Sequence, residues 1–283
     1  MIYVFYHNDI DGVASAYLVK AANPGKNIMF VSCNYTFPLN PDAYHISAAD
    51  TVYIVDYSFK EVTLSELNAL RSACNNVIWI DHHYCSLALT EEYPELKSIP
   101  GIVSSEYSAA VLTWLWFNPD QDMIPRWLQL VSDYDTWKKE LEDTDAFNFG
   151  LLSMDWDIHS DVWSSLYKDD FLYTVIIKGQ AVLDYIRIAN KKHLEEYGFI
   201  TEFCGHECLA VNNRYQNSMI FEGSRYMVCV MFQYTGSCWK YSVFSDGKVN
   251  ASELASQYGG GGHHGAAGFT TKELLPCFCN LGK

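Results

Sequence analysis

The sequence predicts an α/β protein whose N-terminal part is a doubly wound parallel sheet, and three observations support this fold class. Apolar, β-rich runs at 2–6, 50–58 and 76–85 alternate with stretches of helical character. Such alternation is typical of parallel strands joined by crossover helices. Ligand-type side chains end all three runs, and sheets of this class bind their ligands at the carboxyl ends of the strands.

The predicted elements of the N-terminal part follow one another in a regular order. The first strand leads into a helix with small residues on its packing face, and Pro24 and Gly25 break this helix. Later strands end in Asp56 and in the triplet Asp-His-His at 81–83. The complete series consists of strands at 2–6, 27–35, 50–58 and 76–85 and helices at 12–22, 65–74, 104–117 and 124–137.

The C-terminal part is predicted to be a smaller α/β domain with turn-separated strands. Its runs are strands at 207–213, 226–234 and 238–245 and a helix at 250–258, followed by a glycine-rich segment. A strongly periodic helix at 171–198 suits a connection between two domains. We therefore expect a first domain at 1–178, a linker helix at 179–197 and a second domain at 198–283.

The composition excludes several classes of protein. Hydrophobic residues make up 49% of the 283 positions, which argues against a disordered chain. The formal net charge of −15 is not that of a protein that tracks long nucleic acid with a basic stripe. No apolar run approaches the roughly 18 residues of a membrane helix. The N-terminus shows no signal-peptide pattern, so we expect a cytoplasmic protein.

Nine cysteines scatter along the chain at uneven spacing. Cys-Gly-His-Glu-Cys at 204–208 and Cys-Phe-Cys at 277–279 contain residue types that bind zinc, but neither supplies four ligands at finger spacing. Free, partly buried thiols in a reducing compartment are therefore the favoured interpretation, with a zinc site as the alternative.

The strand ends and one helix end carry six candidate metal ligands. They are His7, Asp9, Asp11, Asp56, His82 and Asp133. Aspartate oxygens with a few histidines suit Mn²⁺ or Mg²⁺. For any single residue, capping of a helix or a place in a polar loop is the alternative to metal binding. All three strand ends, however, carry ligand-type residues. Six ligands exceed the needs of one structural ion, so we expect two cations that share a carboxylate, an arrangement suited to phosphoester hydrolysis.

Five segments resemble, in chain order, the motifs of one known superfamily. They are HNDIDG at 7–12, Asp56 in IVDYS, DHH at 81–83, VSDYDTW at 131–137 and GGGGHHGAAGF at 259–269. The first four are similar to the motifs of the DHH phosphoesterases, and the last resembles the signature of the accessory domain DHHA1. The fourth motif is similar to that of the nanoRNase-B-like branch, which trims very short oligonucleotides. Its Trp137 and Tyr134 suit a base-stacking wall, with packing at the helix end as the alternative for Trp137.

The resemblance implies roles residue by residue. It implies that the metal ligands are His7, Asp9, Asp11, Asp56, Asp81, His82 and Asp133 and that the catalytic residues are Asp81, His82 and His83. In the fourth motif, Asp133 is preferred as the ligand because it ends the apolar helix, as in the family pattern. Asp135 is the alternative ligand, and otherwise lies next to a ligand or to the substrate.

The glycine-rich segment is expected to bind phosphate through backbone N–H groups, with His263 as a further donor. Its glycines are Gly260, Gly261 and Gly262. Many relatives carry an arginine just upstream, whereas Phe244 stands at that position here. The phosphate contacts then fall to Lys240, Arg214, Lys248 or backbone groups. Stacking of Phe244 on a base is the alternative.

The resemblance therefore implies a phosphodiesterase with two Mn²⁺ ions, or Mg²⁺ or Co²⁺ in their place, in a cleft between the domains. The substrates are expected to be short oligoribonucleotides or linear dinucleotides, cleaved to mononucleotides, with no long nucleic acid and no membrane as partner. Cyclic dinucleotides, 3′-phosphoadenosine phosphate and polyphosphate are alternative substrates of the same site. A nucleotide sensor without catalysis is disfavoured, because no expected ligand is lacking. The sequence leaves open the exact substrate, the polarity of cleavage and whether the protein forms a homodimer.

Overall fold

The structure is a computed structural model that describes residues 1–33, 41–121, 123–213, 218–262 and 264–279. The chain divides into two compact units, Met1–Leu183 and Asp184–Lys283. The division falls inside one long helix, a few residues after the predicted end of the first domain at 178. The boundaries of a separate linker stay a prediction.

A five-stranded parallel sheet forms the centre of the first unit, as predicted. Its strands are β1 (Ile2–His7), β2 (Ile28–Cys33), β3 (Thr51–Val55), β4 (Asn76–Asp81) and β5 (Gly101–Val103). The strand order is β2-β1-β3-β4-β5, and every neighbouring pair is parallel. The short strand β5 was not predicted, because three residues are too few to show a period along the chain.

The helices of the first unit surround this sheet. They are α1 (Ile10–Ala22), α2 (Leu64–Ala73), α3 (Tyr84–Glu92), α4 (Ala109–Phe117), α5 (Arg126–Asp135), α6 (Thr144–Leu152), α7 (Val162–Ser165) and α8 (Asp169–Tyr197), which continues into the second unit. The predicted helix at 104–117 begins later, because the N–H of Ser104 still bonds to the carbonyl of Asp81 next to β5. Within the described ranges, no helix is both long and apolar enough to cross a membrane.

Apolar residues cover the sheet on both faces, which confirms the doubly wound arrangement. On one face, Val4 and Ile80 pack in a cluster with residues of α1, α4 and α5. On the other face, Phe5 and Trp79 pack with residues of α2 and α3. Successive residues of one strand therefore pack into clusters on opposite faces of the sheet, because side chains alternate between the two faces along a strand.

The second unit contains a mixed six-stranded sheet, in agreement with the predicted smaller α/β domain. Its elements are β6 (Phe199–Phe203), β7 (His206–Asn212), β8 (Val228–Tyr234), β9 (Trp239–Ser245), α9 (Ala251–Ser256), β10 (Gly261–Gly262) and β11 (Ala266–Thr271). The order is β10-β11-β9-β8-β7-β6, and only the pair β7–β8 is parallel among these neighbours. Leu254 of α9 packs on one face of the sheet, next to Tyr241 and Phe269.

Two residues of the glycine-rich segment, Gly261 and Gly262, form an edge strand of this sheet. Gly261 and Gly262 pair with Gly268 and Ala267 of β11. A Cβ atom at Gly260 would lie 2.2 Å from the carbonyl oxygen of Gly268. At that position the missing side chain is therefore required by the close approach of two backbones.

Two further glycines bring α6 and α8 into backbone contact in the first unit. A Cβ atom at Gly179 would lie 1.6 Å from the carbonyl oxygen of Ala146. A Cβ atom at Gly150 would lie 2.0 Å from the carbonyl oxygen of Val175. Neither position can hold a larger residue unless the two helices move apart.

We expect Gly179→Ala to lower the free energy of unfolding of the first unit by about 1–3 kcal/mol, the usual cost of overpacking. This is a net value, because a Cβ atom 1.6 Å from a carbonyl oxygen costs more than the roughly 1 kcal/mol that alanine gains over glycine as a helix former. Urea denaturation measures the difference. Gly265→Ala is the matched control, because its Cβ atom would meet no atom within 4 Å. Equal stability of the Gly179→Ala variant and the parent protein would contradict the tight helix contact.

Candidate active site

The carboxyl ends of three neighbouring strands bring the predicted ligand residues together. Strands β1, β3 and β4 lie side by side in the sheet. His7 and Asp9 lie at the end of β1, Asp56 directly follows β3, and the triplet at 81–83 ends β4. Residues far apart in the chain therefore meet at one edge of the sheet.

Asp56 occupies the middle of this cluster. Its backbone has a φ of +53°, a left-handed conformation that aspartate tolerates better than most residues. Its N–H still donates to the carbonyl of Ile80 at 3.0 Å, which anchors the residue to the sheet. The residue is 1% exposed, and no described residue donates a hydrogen bond of ordinary geometry to either carboxylate oxygen.

The two carboxylate oxygens of Asp56 lie next to different histidines. Oδ2 is 3.8 Å from Nδ1 of His7, and the same nitrogen is 2.7 Å from Oδ2 of Asp9. Oδ1 is 3.4 Å from Nε2 of His82. Asp56 therefore stands between two sets of ligand atoms, one on each side of its carboxylate.

The set on the His82 side includes residues from two helices. Nε2 of His82 is 3.0 Å from Oδ2 of Asp135 and 3.8 Å from Oδ2 of Asp11. In three overlapping groups, one ligand atom from each residue lies within 4.8 Å of the others. The groups are His7 with Asp9 and Asp56, Asp11 with His82 and Asp135, and Asp56 with His82 and His83.

The start of α1 holds Asp9 in place. Asp9 caps this helix, and its Oδ1 accepts the N–H of Gly12 at 2.9 Å. Gly12 lies directly against β1, where a Cβ atom would fall 2.1 Å from the carbonyl oxygen of His7. The glycine is therefore required by the close approach of helix and strand, which keeps Asp9 beside His7.

The start of α4 holds Asp11. Its two carboxylate oxygens accept the N–H groups of Ala109 and Ala110 at 2.8 and 2.9 Å. These N–H groups belong to the first turn of α4, where the helix dipole also favours negative charge. Sequence reasoning missed this contact, because alanines at a helix start carry no polar side chain that would mark it.

Burial and mutual repulsion shift the pKa values in the cluster. Burial, together with the nearby Asp135, raises the pKa of Asp11 from 3.8 to about 7. Burial and the charge of Asp11 hold the pKa of Asp56 well above its ordinary value. Burial lowers the pKa of His82, but the nearby carboxylates of Asp135 and Asp56 outweigh it and raise that pKa to about 12. Burial and, to a lesser extent, the neighbouring carboxylates therefore disfavour the charged forms of Asp11 and Asp56.

The donor set fits divalent metal ions. Carboxylate oxygens and imidazole nitrogens suit Mn²⁺ or Mg²⁺, and a cation would satisfy the buried Asp56 oxygens that lack donors.

Among the described residues, no cysteine belongs to a potential metal group, and the nine thiols are free. Cys204 and Gly205 form the turn between β6 and β7, both with positive φ.

The fourth motif contributes Asp135 to the cluster, whereas Asp133 lies outside it. Asp133 accepts the N–H groups of Glu140 at 3.0 Å and Leu141 at 3.1 Å and the hydroxyl of Thr144. Burial raises its pKa, but these donors outweigh burial and hold the pKa below its usual range. Residues two apart on an α-helix point about 200° apart, so only one of the two aspartates faces the site. The cluster therefore contains Asp135, the alternative ligand of the sequence-based prediction, and not Asp133, the preferred ligand.

Asp81 holds His83 and does not belong to any of the potential metal groups among the described residues. It is fully buried, and its Oδ1 lies 2.8 Å from Nδ1 of His83. The hydroxyl of Ser86 donates to its Oδ2. Asp81 was predicted as a metal ligand, but both of its oxygens are engaged by protein groups. Ser86 was not predicted, since a serine in the first turn of a helix is an ordinary polar residue.

The remaining predicted residues lie in the second unit. Lys240 is exposed on β9, and the glycines at 260–262 form the edge of the sheet described above. Phe244 is half-buried and packs against an apolar cluster of this unit. Arg214 and His263 lie outside the described residues. The substrate-binding roles of these residues stay predictions.

A comparison with known families identifies the first unit. Residues 1–129 match the model described as the DHH family, N-terminal domain. The chain carries a DHH-family domain. The match includes the three strand ends at which the cluster forms. The match confirms the predicted DHH domain for residues 1–129, and with it the enzyme class, a metal-dependent hydrolase of phosphoester bonds.

Two relatives and one solved structure match the chain over most of its length. Oligoribonuclease NrnB of Bacillus subtilis is 25% identical, over 98% of this chain and 75% of that protein. An uncharacterized protein of Acanthamoeba polyphaga mimivirus is 24% identical, over 97% of this chain and 68% of that protein. The solved structure of the pGpG-specific phosphodiesterase PggH from Vibrio cholerae has a TM-score of 0.54 at 15% identity, over 96% of this chain and 94% of that chain. At this level of identity, the last similarity shows the shared fold.

We expect Asp135→Asn to weaken Mn²⁺ binding by at least tenfold and to leave the melting temperature of the metal-free protein unchanged, because Asp135 faces the cluster. Asp133→Asn should instead lower the free energy of unfolding by about 2–4 kcal/mol, because hydrogen bonds to a charged, buried group are lost. Calorimetric titration with Mn²⁺ and thermal denaturation measure the two effects. The opposite pattern, with tight Mn²⁺ binding lost only in Asp133→Asn, would restore Asp133 as the ligand.

Proposed function

We propose that this protein is a Mn²⁺-dependent phosphodiesterase with two metal ions, which hydrolyses short oligoribonucleotides or linear dinucleotides to mononucleotides. The observation that carries the proposal is the position of Asp56. Its two oxygens face separate sets of ligand atoms, on the His7 side and on the His82 side. A carboxylate shared by two cations is the usual arrangement of two-metal phosphoester hydrolases.

The names of two similar proteins support the substrate class. NrnB is an oligoribonuclease, and PggH is a phosphodiesterase specific for pGpG, a linear dinucleotide. Both alignments cover nearly the whole of this chain. We therefore propose a short, linear substrate and place this chain in the nanoRNase-B-like branch.

The proposed metal ligands come from both sides of Asp56. They are His7, Asp9, Asp11, Asp56, His82 and Asp135, and Asp135 replaces Asp133 of the sequence-based set. When bound, the ions supply a water nucleophile at neutral pH and neutralise charge on the phosphoryl oxygens. The protein keeps the ligands in register through the N–H of Gly12 at Asp9 and the start of α4 at Asp11.

His83 is the proposed hydrogen-bond donor to the substrate. Its Nδ1 is engaged by Oδ1 of Asp81, so Nε2 remains for contact with a phosphoryl or leaving-group oxygen. Asp81 fixes the orientation of the ring, and Ser86 fixes Asp81. We therefore assign Asp81 to positioning and His83 to contact with the substrate.

The second unit is proposed to bind the rest of the substrate. The exposed Lys240 and the backbone of Gly261 and Gly262 are the described groups suited to a phosphate, together with Arg214 and His263 from the sequence. The N–H of Gly260, also predicted to bind phosphate, donates to the carbonyl of Ala255 at 3.0 Å. A net charge of −15 fits a small anion held by metal ions rather than by a basic surface. The nine free thiols fit a reducing compartment, and we propose that the protein acts in the cytoplasm.

A substrate panel in Mn²⁺ tests this proposal. It compares pApA, a 5-mer and a 20-mer RNA, a cyclic dinucleotide and 3′-phosphoadenosine phosphate. We expect kcat/KM to be at least tenfold higher for pApA and the 5-mer than for the other substrates, with mononucleotides as products and no activity after chelation of the metal. Asp56→Asn should abolish hydrolysis and serves as the inactive control. Preferred cleavage of the 20-mer or of the cyclic dinucleotide would refute the proposed substrate class.

We expect Asp81→Asn to lower kcat by about 100-fold or more, the usual contribution of a positioned proton donor, and to leave Mn²⁺ affinity within about threefold of the parent value. The reason is that Asp81 orients His83 and, in the proposed set, binds no metal. Calorimetric titration and steady-state kinetics give the two numbers. A loss of Mn²⁺ binding as large as that of Asp56→Asn would show that Asp81 is itself a ligand.

A further inference from the structure

Trp137 lies two residues after Asp135 and is 54% exposed. Packing at the helix end is the ordinary reason for a tryptophan at such a position, but a side chain this exposed contributes little to a core. The indole leaves a large apolar area in water, which folding alone does not reward. The exposed indole therefore offers an aromatic face close in the chain to Asp135 of the cluster.

The backbone around Trp137 is held in an unfavourable conformation. Trp137 has a φ of +57° and Lys139 a φ of +53°, left-handed values that cost bulky residues about 1–2 kcal/mol each. The carboxylate of Asp133 maintains this turn, because it accepts the N–H groups of Glu140 and Leu141 just after it. Strain that the surrounding structure enforces is concentrated at functional sites.

The side chain of Lys139 restrains the indole. Its Nζ lies 5.2 Å from the centroid of the Trp137 ring and 4.1 Å from that of Tyr134, and it forms an ion pair with Asp145. The ammonium group thus contacts both rings and is itself fixed by a carboxylate. A ring held in this way loses little conformational entropy when a ligand covers it.

The surroundings of Trp137 do not resemble a docking patch for another protein. The three residues that follow it, Lys138, Lys139 and Glu140, are charged and exposed. Surfaces that bind partner proteins are contiguous apolar areas, whereas the residues that follow this ring in the chain are charged. A single aromatic ring in a polar setting suits a flat, polar, aromatic ligand.

We propose that Trp137 is a base-stacking subsite next to the metal cluster. Asp135 contacts His82 at 3.0 Å, and the Cα atoms of residues 135 and 137 are at most about 7.6 Å apart because consecutive Cα atoms are 3.8 Å apart. The base of a nucleotide whose phosphate binds at the cluster therefore lies within reach of the ring. Every nucleobase has a face that stacks on an aromatic ring, so the subsite accepts any base.

This inference rests on the proposed function and narrows it. A subsite of this kind selects phosphodiesters that carry nucleobases over polyphosphate and over simple phosphoesters. It assigns recognition of one base to the first unit, apart from the residues proposed to bind phosphate in the second unit. The two aspartates of the fourth motif then have separate roles. Asp133 holds the turn that presents Trp137, and Asp135 faces the cluster.

The test compares pApA with a doubly abasic analogue of the same dinucleotide, in Mn²⁺. We expect Trp137→Ala to raise the KM for pApA by about 5- to 150-fold, the equivalent of 1–3 kcal/mol for one stacked base, with kcat within about threefold of the parent value. Trp137→Phe should restore most of the affinity. The KM for the abasic analogue should be equal in all three proteins. Tyr173→Ala is the matched control, because Tyr173 is a 65% exposed aromatic residue on α8, outside the cluster.

The outcomes separate this inference from the proposed function. If the parent protein cleaves pApA and Trp137→Ala leaves its KM unchanged, or raises the KM for the abasic analogue equally, the stacking subsite is refuted. If the parent protein does not cleave pApA, the proposed function fails. In that case, quenching of tryptophan fluorescence by adenosine 5′-monophosphate, compared between the parent protein and Trp137→Phe, still decides the subsite. Quenching that disappears in Trp137→Phe supports stacking, and equal quenching in both proteins overturns it.

Discussion

The burial of the Asp56 carboxylate between two sets of ligand residues is the constraint on which the rest of the first unit depends. A buried negative charge without hydrogen-bond donors is unfavourable, and the nearby Asp11 raises its cost further. The sheet nevertheless imposes this position, because Asp56 follows a central strand and remains hydrogen-bonded to β4 through its N–H. Divalent cations are the ligands that resolve this conflict, and the site is therefore best understood as a scaffold for positive charge.

Four aspartates at or near the cluster differ from Asp56 in one respect. Asp9, Asp11, Asp81 and Asp133 each accept hydrogen bonds from protein groups. These donors fix the directions of the surrounding side chains before any ion binds, which is the role that outer contacts play in metal sites. Of these five aspartates, Asp56 alone accepts no such hydrogen bond from a described residue. The division explains how a strongly acidic cluster can be both rigid and ready to bind.

The sequence predicted the sheet and most of the cluster because both follow from local patterns. Strand ends in a parallel sheet converge, so His7, Asp56 and His82 could be placed together from their positions alone. The choice between Asp133 and Asp135 could not be made in this way, since it depends on the direction of each side chain around a helix. The hydroxyl of Ser86 and the N–H groups at the start of α4 were missed, because hydrogen bonds between distant elements leave no periodic signal. Strand β5 and the paired glycines of β10 were too short to show one.

The wide separation of the ligands along the chain has a consequence for folding. The cluster draws on residues from His7 to Asp135, so it exists only after all three of its strands and α5 have assembled. Contacts between such distant residues form slowly, because long loops must close first. An ion that binds only the assembled cluster cannot guide the early steps, yet it stabilises the finished unit by mass action. Metal supply would then govern how long the first unit persists in the folded state, in addition to whether it is active.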